Sequence, residues 1–223
     1  MTQRRLSQRA LRAAAIFGLS PADVARSRRP AIDAAAELDR SLRPGELGLI
    51  VGPSGGGKSS IAREMAALIW DRQGEVVLVE GADIVKKRAA RRKVAVVDLF
   101  RSPLTHTLTL LARAGLAEAS LFAAAVDDLS DGQRARLAMA VAMEEVERCA
   151  GAATLILDEF ASTLDRTTAA ALSRTLRRWA STQPCRVVCA TAHDDLLESL
   201  APDVLVEQPL NAPAVFHRRK EAA

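Results

Sequence analysis

Eight consecutive residues, Gly52-Pro53-Ser54-Gly55-Gly56-Gly57-Lys58-Ser59, follow the pattern G-x-x-x-x-G-K-[ST]. Glycines carry no side chain, so backbone N–H groups at these positions can turn inward and close on phosphate oxygens. Lys58 supplies a point charge suited to the β- and γ-phosphates of ATP, Ser59 offers a hydroxyl to Mg²⁺, and Ser60 adds a further polar group at the start of the following helix. A second segment, Leu155-Ile156-Leu157-Asp158-Glu159, places two acids after three apolar residues. A buried strand of that composition delivers its carboxylates to the edge of a sheet, where α/β proteins bind ligands. There Asp158 would hold Mg²⁺ through water, and Glu159 would polarise an attacking water. Taken alone, the same five residues also describe a strand leaving into a charged turn; beside a phosphate loop the chemical reading is the better one.

These groups need a scaffold, and the hydrophobic pattern supplies one. Leu47–Val51 is an uncharged run and reads as a buried central strand, after a Pro44-Gly45 turn and before a helix from about Lys58 to Trp70. Further strands are predicted at 75–80, 94–97, 154–157 and 186–190, and helices at 104–126 (broken at Gly115), from Gln133 to about Cys149, at 167–180 and at 192–200. Residues 6–17 fit a short basic helix or a first strand, and residues 20–40, with Pro21 and Pro30, read as a loop with room for one helical turn. From Pro209 the chain reads as a flexible tail, leaving residues 1–208 as a single domain. Alternating strands and helices, with strands apolar on both faces, predict an α/β fold around a mainly parallel sheet.

Composition narrows the class. The 223 residues suit one α/β domain, and 49% hydrophobic with 26% charged residues is the balance of a globular chain. There is no Tyr, so Ala, Leu and Val must build the core. A net charge of +4 is compatible with an anionic partner. Cys149, Cys185 and Cys189 form no CxxC pair and read as reduced, buried thiols of a cytoplasmic protein. No stretch approaches the ~20 apolar residues of a membrane span. Arg4, Arg5, Arg9 and Arg12 precede the first acid, as in a transit peptide, but Phe17-Gly18 follow so closely that the segment reads as the domain's own first element.

At this point the chain resembles the ATP-binding cassette (ABC) family, over nearly its whole length. Leu129-Ser130-Asp131-Gly132-Gln133 is similar to that family's LSGGQ signature, with Asp131 in place of the middle glycine. Glu159-Phe160-Ala161-Ser162-Thr163-Leu164-Asp165 is similar to its stretch from catalytic glutamate to D-loop, and Thr191-Ala192-His193 stands where it carries a switch histidine. The resemblance implies a P-loop NTPase fold of the ABC type, with a helical subdomain at about 100–145 that is short for the family. It further implies a head-to-tail dimer that sandwiches two ATP molecules. In that arrangement Ser130, Gly132 and Gln133 face the γ-phosphate bound by the other subunit, His193 contacts the γ-phosphate, and Asp165 reaches across the interface. Phe17 resembles the aromatic that stacks on adenine, although a lone Phe is more often core.

The sequence departs from the family at four places. Asp98 stands where a glutamine is usual; it could still accept a hydrogen bond from metal-bound water. Phe160 replaces the usual proline. Asp131 brings a negative charge towards a phosphate site unless a base such as Arg134 offsets it, and the segment between Ser60 and Leu129 is short. Leu-Ser-Asp-Gly-Gln-Arg at 129–134 and Leu-Asp-Arg at 164–166 look more like small soluble ABC-type ATPases, including those fused to an acetyltransferase-like domain. The sequence reading therefore favours an ATP hydrolase, working as a homodimer, that acts on a protein or nucleic-acid partner. The alternative is the ATP-binding subunit of an ABC transporter, meeting the membrane only through a separate permease. The basic run at 86–93 invites nucleic acid, but such a run is more often a solvated face.

Overall fold

The structure is a computed structural model that describes residues 29–89, 94–149, 151–210 and 212–219, with Gln8, Arg12, Ala15, Ile16 and Ser20. In chain order the elements are α1 (Arg29–Ser41), β1 (Leu47–Val51), α2 (Lys58–Asp71), β2 (Val76–Glu80) and α3 (Asp83–Ala89). They continue with α4 (Leu104–Arg113), α5 (Ala119–Phe122), α6 (Asp131–Arg148), β3 (Thr154–Asp158) and α7 (Arg166–Ala180), and close with β4 (Arg186–Thr191), α8 (Leu197–Leu200), β5 (Val204–Glu207) and β6 (Val215–Arg218).

Six strands form one sheet in the order β2-β3-β4-β1-β5-β6. All neighbours run parallel except β6, which pairs antiparallel with β5, so the expected mainly parallel α/β architecture is present. Alternation along the strands divides the core in two. Leu47 and Leu49 of β1, Leu155 and Leu157 of β3, and Val187 and Cys189 of β4 face α6 and α7. Ile50, Ile156, Val188 and Ala190 face α1 and α2.

Three expectations are corrected. Residues 20–40 are not all loop: Arg29–Ser41 is a helix. Pro30 sits in its first turn, where the missing N–H has no intrahelical partner to lose, and Ala34, Ala35, Leu38 and Leu42 are buried against the sheet. Residues 94–97 are not a strand. Apart from a single bridge between Ala95 and Ala125, the segment turns into a 3₁₀ helix at Val96–Leu99. Val96 and Leu99 are its buried side chains, and their three-residue spacing belongs to a helical turn rather than to a pleat. The tail expected from residue 209 contains β6, joined to β5 by the register Val204↔Arg218 to Glu207↔Val215 and held at its end by Arg218 on Glu46.

Candidate nucleotide site

The site lies at the C-terminal ends of β1, β4 and β3, which are side by side in the sheet. β1 runs directly into the glycine loop. Gly52 has φ 150°, and a Cβ there would lie 2.1 Å from the Gln208 carbonyl oxygen, so only glycine lets the loop leave the strand beneath the end of β5. Gly57, at φ 103°, is the N-cap of α2 and offers no side chain to the helix's first N–H groups. Those donors, with the positive end of the helix dipole, are suited to an anion.

Lys58 lies over the loop, its Nζ donating to the carbonyl oxygens of Gly52 and Pro53, each at 2.8 Å. Burial moves its pKa below the ordinary lysine value, while the charges of Asp158 and Glu159 pull the other way. Ser59 Oγ donates to Asp158 Oδ1 at 2.9 Å, joining the first turn of α2 to the end of β3. A hydroxyl and a carboxylate side by side are hard oxygen donors, and Mg²⁺ is commonly held by one or two such groups with the rest of its shell from phosphate and water. Ser59 and Asp158 therefore fit Mg²⁺. Among the described residues no cluster of three or more His, Cys, Asp or Glu could hold a metal by itself. Asp98, the third expected metal contact, is exposed in the 3₁₀ turn rather than at a strand end, and no hydrogen bond or ion pair joins it to Ser59 or Asp158.

After Asp158 the backbone makes an unusual turn. Glu159 and Ala161 both have positive φ, 54° and 61°. Non-glycine residues rarely adopt this region, and such strain collects at functional sites. The result is that Glu159 stays exposed while Phe160 turns into the core and its N–H donates to the Ala190 carbonyl of β4 at 2.8 Å. A proline could not make that bond, which gives Phe160 a physical reason to replace it. His193 follows β4, half-buried, with its N–H bonded to Thr191 Oγ1 at 3.1 Å. Asp165 caps α7 by accepting from the Thr168 N–H at 2.9 Å; its bonds from Thr168 hold its carboxyl below the usual range.

The signature segment begins its helix two residues earlier than expected, with Ser130 as N-cap of α6. Ser130 Oγ accepts from the Gln133 N–H at 3.2 Å, and Gln133 Oε1 accepts from the Ser130 N–H at 2.9 Å, a reciprocal capping box. Ser130 and Asp131 are exposed, so this helix start is open to a neighbour. Asp131 pairs with Arg134 Nη2 at 2.7 Å, so the base anticipated from the sequence does meet the extra charge. Gly132 packs on the D-loop: a Cβ there would come within 3.2 Å of Leu164 Cδ2. A cavity of about 820 Å³ opens between this helix start and the acidic turn, with Asp131, Arg134, Asp158, Glu159 and Lys86 in its walls.

The structure thus brings together Lys58, Ser59, Asp158 and Glu159, while Asp98 makes no hydrogen bond or ion pair with them. Phe17 lies outside the described residues, as do Arg91, Arg92 and Lys93 of the basic run. Sequence reasoning did not assign a role to Glu144, a fully buried carboxylate on α6. The signal was present, because Glu144 continues the spacing of buried Leu137, Ala140 and Val141.

Fold and site together define a P-loop nucleotide-binding domain. Residues 36–162 match the family described as ABC transporter. The chain is 32% identical over 187 residues to the cobalamin import ATP-binding protein BtuD of Halobacterium salinarum, an alignment covering 71% of this chain and 44% of that one. It is 31% identical over 169 residues to the phosphonates import ATP-binding protein PhnC 2 of Halalkalibacterium halodurans, covering 59% of this chain and 66% of that one. Its fold matches an ATP-binding cassette solved as a dimer in a post-hydrolysis state bound to ADP and Pi, with a TM-score of 0.59 and 16% identity over 81% of this chain and 88% of that one. At that identity the likeness is one of fold. The chain therefore spans less than half the length of the cobalamin import relative. It belongs to the ABC transporter family, as an ATP-binding cassette. No described helix is long and apolar enough to cross a membrane.

Proposed function

We propose that this chain binds MgATP at residues 52–60 and hydrolyses it in a head-to-tail homodimer, in the cytoplasm. The observation that carries the reading is the bond between Ser59 and Asp158 beside an exposed Glu159, with an open, capped signature helix on the same chain. The loop amides and Lys58 grip the phosphates, and Glu159 takes up the proton of the attacking water. Ser59 and Asp158 would hold Mg²⁺, which would supply charge neutralisation for the phosphates. His193, two residues beyond the strand between β1 and β3, contacts the γ-phosphate in this reading. The Ser130 hydroxyl, the Gly132 N–H and the Gln133 side-chain amide offer donors to ATP on a second copy, and Asp165 contacts that copy's site. Closure of the pair drives a protein or nucleic-acid partner.

A second reading, the energy-coupling subunit of a transporter, is favoured by relatives that are import ATP-binding proteins. The decisive experiment uses Glu159→Gln with ATP and Mg²⁺. Size-exclusion chromatography with light scattering is expected to show a stable dimer with no turnover. A monomer under those conditions removes the shared-site reading. Co-purification of the wild type with an integral membrane protein would select the transporter reading.

A further inference from the structure

Between the 3₁₀ turn, which ends at Leu99, and α4 runs a short strip, residues 100–103, that belongs to no ladder or helix. Its backbone groups and the Leu99 carbonyl before them must nevertheless be satisfied, and two side chains from different helices do so. Glu144 Oε1, from α6, accepts from the N–H groups of Arg101 at 2.8 Å and Ser102 at 2.7 Å. Arg88 Nη1, from α3, donates to the Leu99 carbonyl at 2.8 Å and to Glu144 Oε2 at 2.7 Å. Arg88 also pairs with Glu145. Glu144 is wholly buried and the Arg88 side chain is 11% exposed. Burial alone would raise the Glu144 pKa, but the bonds from Arg88, Ser102 and Arg101 outweigh it and hold the carboxyl below its usual range.

A buried ion pair is a poor way to gain stability over an apolar contact of the same size, because both charges lose water. Its better-attested use is to fix one register. Here the register fixed is that of the strip following Asp98 against the helix that begins at Ser130. Glu144 lies fourteen residues beyond that cap, about 21 Å along the helix, and so cannot touch a nucleotide held there.

We propose that Glu144, together with Arg88, is a positioning residue that clamps the strip following Asp98 to the signature helix, so that the two are displaced as one body. The clamp itself is a property of the single chain; its effect on turnover rests on the two-copy reading above.

The test compares Glu144→Gln and Arg88→Lys with the wild type. Arg88→Lys keeps the charge and the two backbone bonds of Glu144 but cannot span Leu99 and both glutamates, so it guards against a variant that merely misfolds. Native-state hydrogen exchange is read at Arg101 and Ser102 and at Val141 and Met143 of α6. In the wild type the strip and the helix are expected to exchange in one step. In Glu144→Gln the strip amides are expected to exchange at least about tenfold faster while α6 is unchanged, with a smaller rise in Arg88→Lys. Steady-state kinetics are expected to show kcat lowered about tenfold with ATP affinity unchanged. Adding Asp98→Ala to Glu144→Gln should lower kcat no further than the larger single effect. The clamp is overturned if strip and helix speed up together, or if strip exchange does not change. The positioning role is overturned if kcat is unaffected in a decoupled variant or if the Asp98 and Glu144 effects multiply. A wild type without turnover would sink the two-copy reading, and the exchange arm would still decide the clamp.

Discussion

The two halves of the proposed sandwich are held by different physics. The phosphate side, Gly52 to Ser59 with Asp158 and Glu159, rises from adjacent parallel strands whose backbone ladder sets its geometry. The signature side, from α3 to α6, packs on the sheet through the apolar residues of α6 and is tied within itself by charges: Arg88 on Glu144 and Glu145, and Glu147 accepting from Arg113 and bonded to His106, with Trp179 of α7 donating to the same Glu147. A ladder spreads its hold over many equal bonds, whereas an ion network concentrates it in a few buried charges. Single side-chain changes should therefore leave the geometry of the first half intact while removing its chemistry, and should shift the geometry of the second.

Lys58→Ala is the sharpest way to test the first half. ATP affinity, measured by fluorescent-nucleotide titration, should fall about 100-fold, on the order of 3 kcal/mol, with an unchanged thermal midpoint. An intermediate effect is expected at the strained turn. Phe160→Pro removes the N–H bonded to Ala190 and a buried aromatic, and urea denaturation should show a loss of about 3 kcal/mol. A neutral result would mean that the turn at 159–161 does not depend on that bond. Smallest is Ser130→Ala, which loses half of the capping box and should cost about 1 kcal/mol in the same assay. Its turnover should nevertheless fall more than its stability, because the same hydroxyl belongs to the proposed second half-site.

The sequence revealed the first half far better than the second, and the reason is locality. Gly52 to Ser59 does its work with neighbouring residues, so its spacing carries its geometry. Asp158 was likewise readable from a strand end, whereas Ser130 was found only through the resemblance to the signature, and its capping box came with the structure. The order of strands was not, because β4 enters between β1 and β3 through contacts that no local pattern records. Residues 94–97 misled because four apolar residues fit a buried strand as well as a short turn, and what decides is Arg88 taking the Leu99 carbonyl from another helix. Asp98 was assigned by its resemblance to a glutamine at a strand end; the strand is replaced by a 3₁₀ turn, which changes the local frame that carries it. Helix α1 was missed because Pro30 was weighed as a breaker rather than as a first-turn residue.

The central position of β4 bears on how the protein comes into being. During synthesis the glycine loop emerges first, and the strand bearing Asp158 about a hundred residues later, yet the two strands are not neighbours and meet only across a third that follows. Until Arg186–Thr191 has left the ribosome, Ser59 and Asp158 have no scaffold that fixes their spacing. A nascent chain cut short before that segment would carry the phosphate motif without the pocket it serves, and the late strand makes competence for nucleotide one of the last properties the growing polypeptide acquires.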